Sequence, residues 1–253
     1  LAYTEGDGAV IIEQGTNALV ADADSTNFDT GILTVSFTAG SDSAEDVLSI
    51  RNQGTGAGQI GVSGANITYE GVTIGTFTGG SGGSNLVITL NSSATPTAVT
   101  ALVKNITYQN TDTNAPTTGA RTVRFRLTDG DGGTSANYDT TVTVSGVNDD
   151  PIITSNGGGA TFSTSVAENT TAVTTVTSTD VDGGTPVYSI VPVGSGGAAD
   201  AALFSIDSNT GVLTFTTAPN YEAPTDSGGN NVYDVTVQVS DGNGGTDTQT
   251  LAV

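Results

Sequence analysis

Short runs of apolar residues alternating with Thr and Ser at a period of two constrain this chain more than any other feature. Leu33, Val35 and Phe37 fall on one face of their run, as do Leu86, Ile88 and Leu90. Val123, Phe125 and Leu127 repeat the pattern, then Val142 and Val144, and later Val235, Val237 and Val239. Successive side chains of a strand point to opposite faces, so each run buries one face and wets the other. Gly, Asp, Asn or Pro bounds every run, which predicts many short strands joined by turns and an all-β sandwich. One stretch departs from this period. Thr95-Pro96 supplies an N-cap and a proline for the first helical position, and Val99, Leu102 and Val103 share a helical face. The spacing predicts a short helix over 96–104.

The two halves repeat one another. Tyr3-Thr4-Glu5-Gly6 parallels Val166-Ala167-Glu168-Asn169, and Ala21-Asp22-Ala23-Asp24 parallels Thr179-Asp180-Val181-Asp182. Thr107-Tyr108-Gln109 parallels Asn220-Tyr221-Glu222, and Leu127-Thr128-Asp129-Gly130 parallels Val239-Ser240-Asp241-Gly242. Four matches in one order indicate an internal duplication. The boundary falls at Val147-Asn148-Asp149-Asp150-Pro151, giving domains 1–148 and 149–253. The first is longer because 52–105 holds an extra hairpin and the helix. Apolar residues make up 35% of the chain, enough for two thin sandwich cores rather than one large core.

Composition also excludes function classes. Cys is absent, which removes disulfides and thiolate chemistry, and His is absent, which removes the usual general base. A formal net charge of −21 opposes binding to nucleic acid or anionic lipid. No apolar run approaches the ~20 residues of a membrane helix, so no membrane insertion is expected. Paired carboxylates can hydrolyse glycosides, but the acids here sit in repeated turn and linker motifs, and no enzyme is expected. A carbohydrate-binding module is the alternative reading; Trp is absent and aromatics are 6%, so no sugar-stacking platform stands out.

The acidic clusters suit a hard cation. Calcium takes six to eight oxygen ligands from carboxylates, amides and carbonyls. In an extended segment Asp180 and Asp182 point the same way. Arg51, Lys104, Arg121, Arg124 and Arg126 are the only basic side chains, too few to neutralise the clusters. Arg124 and Arg126 share a strand face and are expected to pair with nearby acids.

Taken in order, these motifs resemble the calcium-binding motifs of bacterial cadherin-like repeats, found in tandem in large surface and adhesin proteins. The resemblance implies two Ig-like Greek-key β-sandwiches in an extracellular, secreted chain. It implies Ca2+ as the ligand and a role in adhesion and in filament, stalk or biofilm-matrix structure. It further implies that Glu5 and Gln109 serve the internal junction together with Asp149, Asp150, Asp180, Asp182 and Asp241. Asp22, Asp24 and Asp129 would then serve a preceding repeat, and Glu168 and Glu222 a following one. Gln109 stands where the family has a glutamate and Gly146 where it often has an aspartate, so fewer or weaker ions are expected at that junction. The implied partners are neighbouring repeats of the same or identical chains, head to tail, with polysaccharide as a further partner. Both ends stop where the repeat has a continuation, and the chain reads as one link of a longer array.

Overall fold

The computed structural model describes residues 1–13 and 18–253. It divides into two compact units, Leu1–Val147 and Asn148–Val253. In the first unit the strands are β1 (Ala2–Thr4), β2 (Val10–Ile11), β3 (Ile32–Ala39), β4 (Asp46–Ile50), β5 (Ile60–Ser63) and β6 (Asn66–Tyr69). They continue as β7 (Val72–Thr78), β8 (Leu86–Leu90), β9 (Ile106–Asn110), β10 (Gly119–Thr128) and β11 (Tyr138–Ser145), with helix α1 (Pro96–Val103) after β8. One sheet runs β1-β11-β10-β3-β8-β7-β6-β5 and another runs β2-β9-β4. The long segment 52–105 carries the hairpin β5–β6, continues into β7 and β8, and ends with α1.

Alternation becomes a core directly. On β10 the side chains of Arg121, Val123 and Phe125 are buried, while those of Ala120 and Arg126 are exposed. Leu33, Val35, Leu86, Ile88 and Val123 from the long sheet join Leu48, Ile106 and Tyr108 from the short one in a single buried cluster. Each fully buried aliphatic side chain contributes about 1.5–3 kcal/mol relative to exposure. Helix α1 adds Ala98, Val99 and Leu102 to the same cluster. Its start is fixed locally: Thr95 is extended at φ −70°, ψ 160°, and its hydroxyl accepts the Ala98 N–H. Lys104 caps the helix instead of extending it. Thr95→Ala is expected to cost about 1 kcal/mol, read as a shift in the urea midpoint at constant slope. An unchanged midpoint would show that core packing alone holds α1.

The second unit is smaller. Its strands are β12 (Ile152–Ile153), β13 (Thr161–Ser163), β14 (Ala172–Thr175), β15 (Ser178–Thr179) and β16 (Val187–Ile190), followed by β17 (Phe204–Ile206), β18 (Val212–Phe215), β19 (Asp234–Ser240) and β20 (Thr246–Ala252). They form the sheets β13-β20-β19-β16 and β14-β18-β17, with β12 paired to β15. Val235, Val237, Val239 and Leu251 face Leu213, Phe215 and Tyr233 in its core. Phe204 stacks on Phe215 at 4.5 Å between ring centroids. One parallel pairing recurs in both units: β1 runs parallel to β11, and β13, which follows β12, runs parallel to β20. Glu5 directly follows β1, and Glu168 lies in the segment between β13 and β14. Among the described residues no helix is long and apolar enough to cross a membrane.

Candidate metal sites

In the first unit the Asp-Gly-Asp-Gly-Gly turn after β10 is built around one carboxylate. Asp129 Oδ1 accepts the N–H groups of Asp131, Gly132 and Gly133 at 2.8, 3.0 and 2.9 Å. Glycine is required where the chain closes over it. A Cβ on Gly133 would stand 2.0 Å from Asp129 Oδ2. Asp22 and Asp24, from the loop between β2 and β3, converge on this turn. Asp22, Asp24 and Asp129 each offer a carboxylate oxygen, all within 4.8 Å of one another. Asp22 Oδ1 accepts the Asp24 N–H at 3.3 Å, while its Oδ2 is buried without a hydrogen-bond partner.

That crowding is visible in the protonation behaviour. The hydrogen bond to Asp22, then the charges of Asp22 and Asp129, hold the Asp24 carboxyl above its usual range. The same hydrogen bond, reinforced by backbone N–H groups, holds Asp22 below it. Two carboxylates sharing one site behave in this way when no cation separates them. An orphaned oxygen among three converging carboxylates fits a divalent cation, which would supply the missing partner and offset the repulsion.

The second unit repeats the turn. Asp241 Oδ1 accepts the N–H groups of Asn243, Gly244 and Gly245 at 2.7, 3.1 and 3.0 Å. Asn148 Nδ2 donates to Asp241 Oδ2 at 2.6 Å, and this bond, ahead of the backbone ones, holds Asp241 below the usual carboxylate range. The Asp149 N–H donates to Asp182 Oδ2 at 2.6 Å, and the Asp182 N–H to Asp180 Oδ1 at 2.9 Å. Asp150 Oδ1 accepts the Thr246 N–H at 3.3 Å. Asp149, Asp150, Asp180, Asp182 and Asp241 are thus gathered around the start of the unit. Among the described residues, no three carboxylate oxygens come as close there as in the first unit. Several of them are engaged by the segment 148–150 instead.

The glutamates lie elsewhere. Glu5 Oε2 accepts the Val147 N–H at 2.7 Å, and its Oε1 is buried without a partner. Gln109 sits on β9 opposite Val47 of β4. Glu168 Oε2 accepts the Tyr221 N–H at 3.2 Å, and the Glu222 N–H is held by Asn220 Oδ1 at 3.0 Å, so the Glu168 carboxylate touches the backbone of the segment that carries Glu222. Arg124 pairs with Asp139 through two 2.7 Å hydrogen bonds.

Sequence reasoning missed one polar cluster. Asp46 and Arg121 are 3% and 1% exposed, and Arg121 Nε lies 3.2 Å from Asp46 Oδ2. The Tyr108 hydroxyl donates to Asp46 Oδ1 at 2.5 Å. Burial first, and then the Asp46 carboxylate, push the Tyr108 phenol far above its ordinary value. Arg121 also donates to the carbonyls of Gly119 and Thr117. The signal was present, because Arg121 shares its strand face with Val123 and Phe125, and Asp46 shares its face with Leu48 and Ile50.

The family model of the cadherin domain matches residues 162–253. No curated protein of similar sequence was found. Among solved structures, a protocadherin gamma B7 fragment of extracellular cadherin domains 1–4 is 13% identical at a TM-score of 0.41, over 100% of this chain and 47% of that one. Protocadherin gamma C5 domains EC1–3 give 13% identity and a TM-score of 0.42, over 87% of this chain and 54% of that one. The human desmocollin-1 ectodomain gives 16% identity and a TM-score of 0.37, over 99% of this chain and 37% of that one. The chain spans about half or less of the length of these structures. Residues 162–253, with their own core and parallel opening strand, are a cadherin-like domain within an all-β chain.

Proposed function

We propose that this chain is a non-catalytic, calcium-rigidified extracellular repeat unit of a bacterial surface adhesin or fibre-forming matrix protein. The convergence of Asp22, Asp24 and Asp129, with Asp22 Oδ2 orphaned, carries this reading. Asp129 and Asp22 each give one oxygen to backbone N–H groups of their own loops, but that does not require three carboxylates within reach of one another. They repel, and the fold tolerates them because a cation neutralises them.

When bound, calcium supplies two positive charges and accepts oxygen ligands in a flexible shell. In the first unit Asp22, Asp24 and Asp129 would hold it. In the second, Asp149, Asp150, Asp180, Asp182 and Asp241 offer the oxygens. Glu5, Gln109, Glu168 and Glu222 contribute from their own positions in each unit, and the buried Oε1 of Glu5 suits a ligand role. Head-to-tail neighbours of the same or identical chains are the partners this reading assigns, in adhesion and filament or stalk structure.

Titration calorimetry tests it. The parent is expected to take up calcium, and Asp129→Asn to weaken the first-unit site at least about tenfold by removing a charged ligand. Asp129→Asn keeps an oxygen for the three turn N–H groups, so the fold is preserved. Heat absent on calcium addition, or an Asp129→Asn titration that overlays the parent, would refute the assignment.

A further inference from the structure

Two amide side chains stand where a ninth strand would lie. β5 is an end strand of the eight-stranded sheet, paired on one side with β6. The hairpin closes at Ser63 opposite Asn66, with Gly61 opposite Thr68. Backbone groups of alternate residues point to opposite sides of an antiparallel strand. Gly61 and Ser63 therefore serve β6, and Ile60 and Val62 face outward. An outward row of this kind is a template for another strand.

Here each outward group is already taken. The Ile60 N–H donates to Gln53 Oε1 at 3.1 Å, and the Ile60 carbonyl accepts the Gln53 N–H at 2.7 Å. The Val62 N–H donates to Asn52 Oδ1 at 3.1 Å, and the Val62 carbonyl accepts Asn52 Nδ2 at 3.2 Å. An amide side chain carries one acceptor and one donor group, as a peptide unit does, so Asn52 can satisfy both backbone groups of one residue. At the opposite end of the sheet Asp7 does the same for Thr4. Its Oδ2 accepts the Thr4 N–H at 2.8 Å, and its own N–H donates to the Thr4 carbonyl at 2.9 Å.

The need for such a closure is written in the local sequence. Sheet edges are commonly guarded by charge, above all by Lys. Between Arg51 and Glu70 there is no charged residue, and the segment holds Ile60, Val62, Ile67 and Tyr69. An uncharged, β-branched edge pairs readily with a copy of itself. We infer that Asn52 and Gln53 close the outer edge of β5 against antiparallel pairing with β5 of a second copy of this chain. Lateral growth of the sheet is thereby blocked. This inference does not rest on calcium, and its test is run with the ion chelated.

The test combines amide hydrogen exchange by NMR with sedimentation velocity on the full chain. In the parent, the Ile60 and Val62 amides are expected to exchange as slowly as interior strand amides. Asn52→Ala should accelerate Val62 at least about tenfold and leave Ile60 protected. The chain carrying both Asn52→Ala and Gln53→Ala should form dimers in proportion to concentration, with the Val62 amide protected again in the dimer. Loop-like exchange of Ile60 and Val62 in the parent would overturn the inference. So would a folded double variant that stays monomeric at every concentration, or that associates while its β5 amides remain open. If the double variant does not fold, the contrast between Val62 and Ile60 in the parent and in Asn52→Ala decides the matter alone.

Discussion

Asp46→Ala is expected to destabilise the first unit by about 3–5 kcal/mol, the cost of stranding one member of a buried ion pair. Arg121 is 1% exposed, so its charge would be left buried with only the Gly119 and Thr117 carbonyls as acceptors. Removing the carboxylate also strands the Tyr108 hydroxyl, which donates to it at 2.5 Å, and the Asp42 N–H, which donates to Asp46 Oδ2 at 2.7 Å. The thermal midpoint of the first unit should fall by more than about 10 °C. Coulomb attraction inside a protein and the desolvation of both ions nearly cancel. The large loss is therefore a property of the broken pair, not of the pair itself. Replacing all three polar groups together, as Asp46→Leu with Arg121→Met and Tyr108→Phe, should recover most of the stability. Calorimetric scans of the two variants separate these statements. A fall of less than about 1 kcal/mol for Asp46→Ala would mean that water reaches the guanidinium.

Calcium should raise the thermal midpoint, and chelation should lower it. A ligand that binds the folded state alone stabilises by RT ln(1 + [L]/Kd), about 2.7 kcal/mol per site at one hundred times Kd. The size of the shift should therefore rise with the logarithm of free calcium instead of saturating at occupancy. Part of the gain is relief. The crowding of the Asp22–Asp24 pair holds the Asp24 carboxyl above its ordinary range and the Asp22 carboxyl below it. The sign follows from that shift. The raised Asp24 carboxyl takes stability away as pH rises through its folded-state pKa, while the lowered Asp22 carboxyl contributes stability that is lost only as pH falls through its own, so the loss on the alkaline side belongs to Asp24. Calcium should remove this loss, because the cation takes the place of the proton. Scans at several pH values, with chelator and with millimolar calcium, check both statements. An unchanged midpoint on calcium addition would leave the acidic clusters without a metal.

The sequence alone determined the elements that depend on local pattern. The period-two runs at 33–37, 86–90, 123–127 and 235–239 are strands, since alternation is a property of neighbouring residues. Thr95-Pro96 starts a helix for the same reason. The repeated acidic motifs were legible as candidate ligands because each turn is closed by its own aspartate, as Asp129 and Asp241 show.

Only the tertiary structure decided which of these groups meet. Asp22 and Asp24 reach Asp129 across more than a hundred residues of chain, while Asp149 and Asp182 spend a hydrogen bond on one another. Spacing along a chain cannot state such distances, because they depend on how strands are ordered in a sheet. The same limit hid the buried polar core. Arg121, Asp46 and Tyr108 each sit at a core-facing position of a separate strand, and each alone looks like a misplaced polar residue. Stacking β4, β9 and β10 in one sandwich brings the three together, and only then does one charge cancel the other.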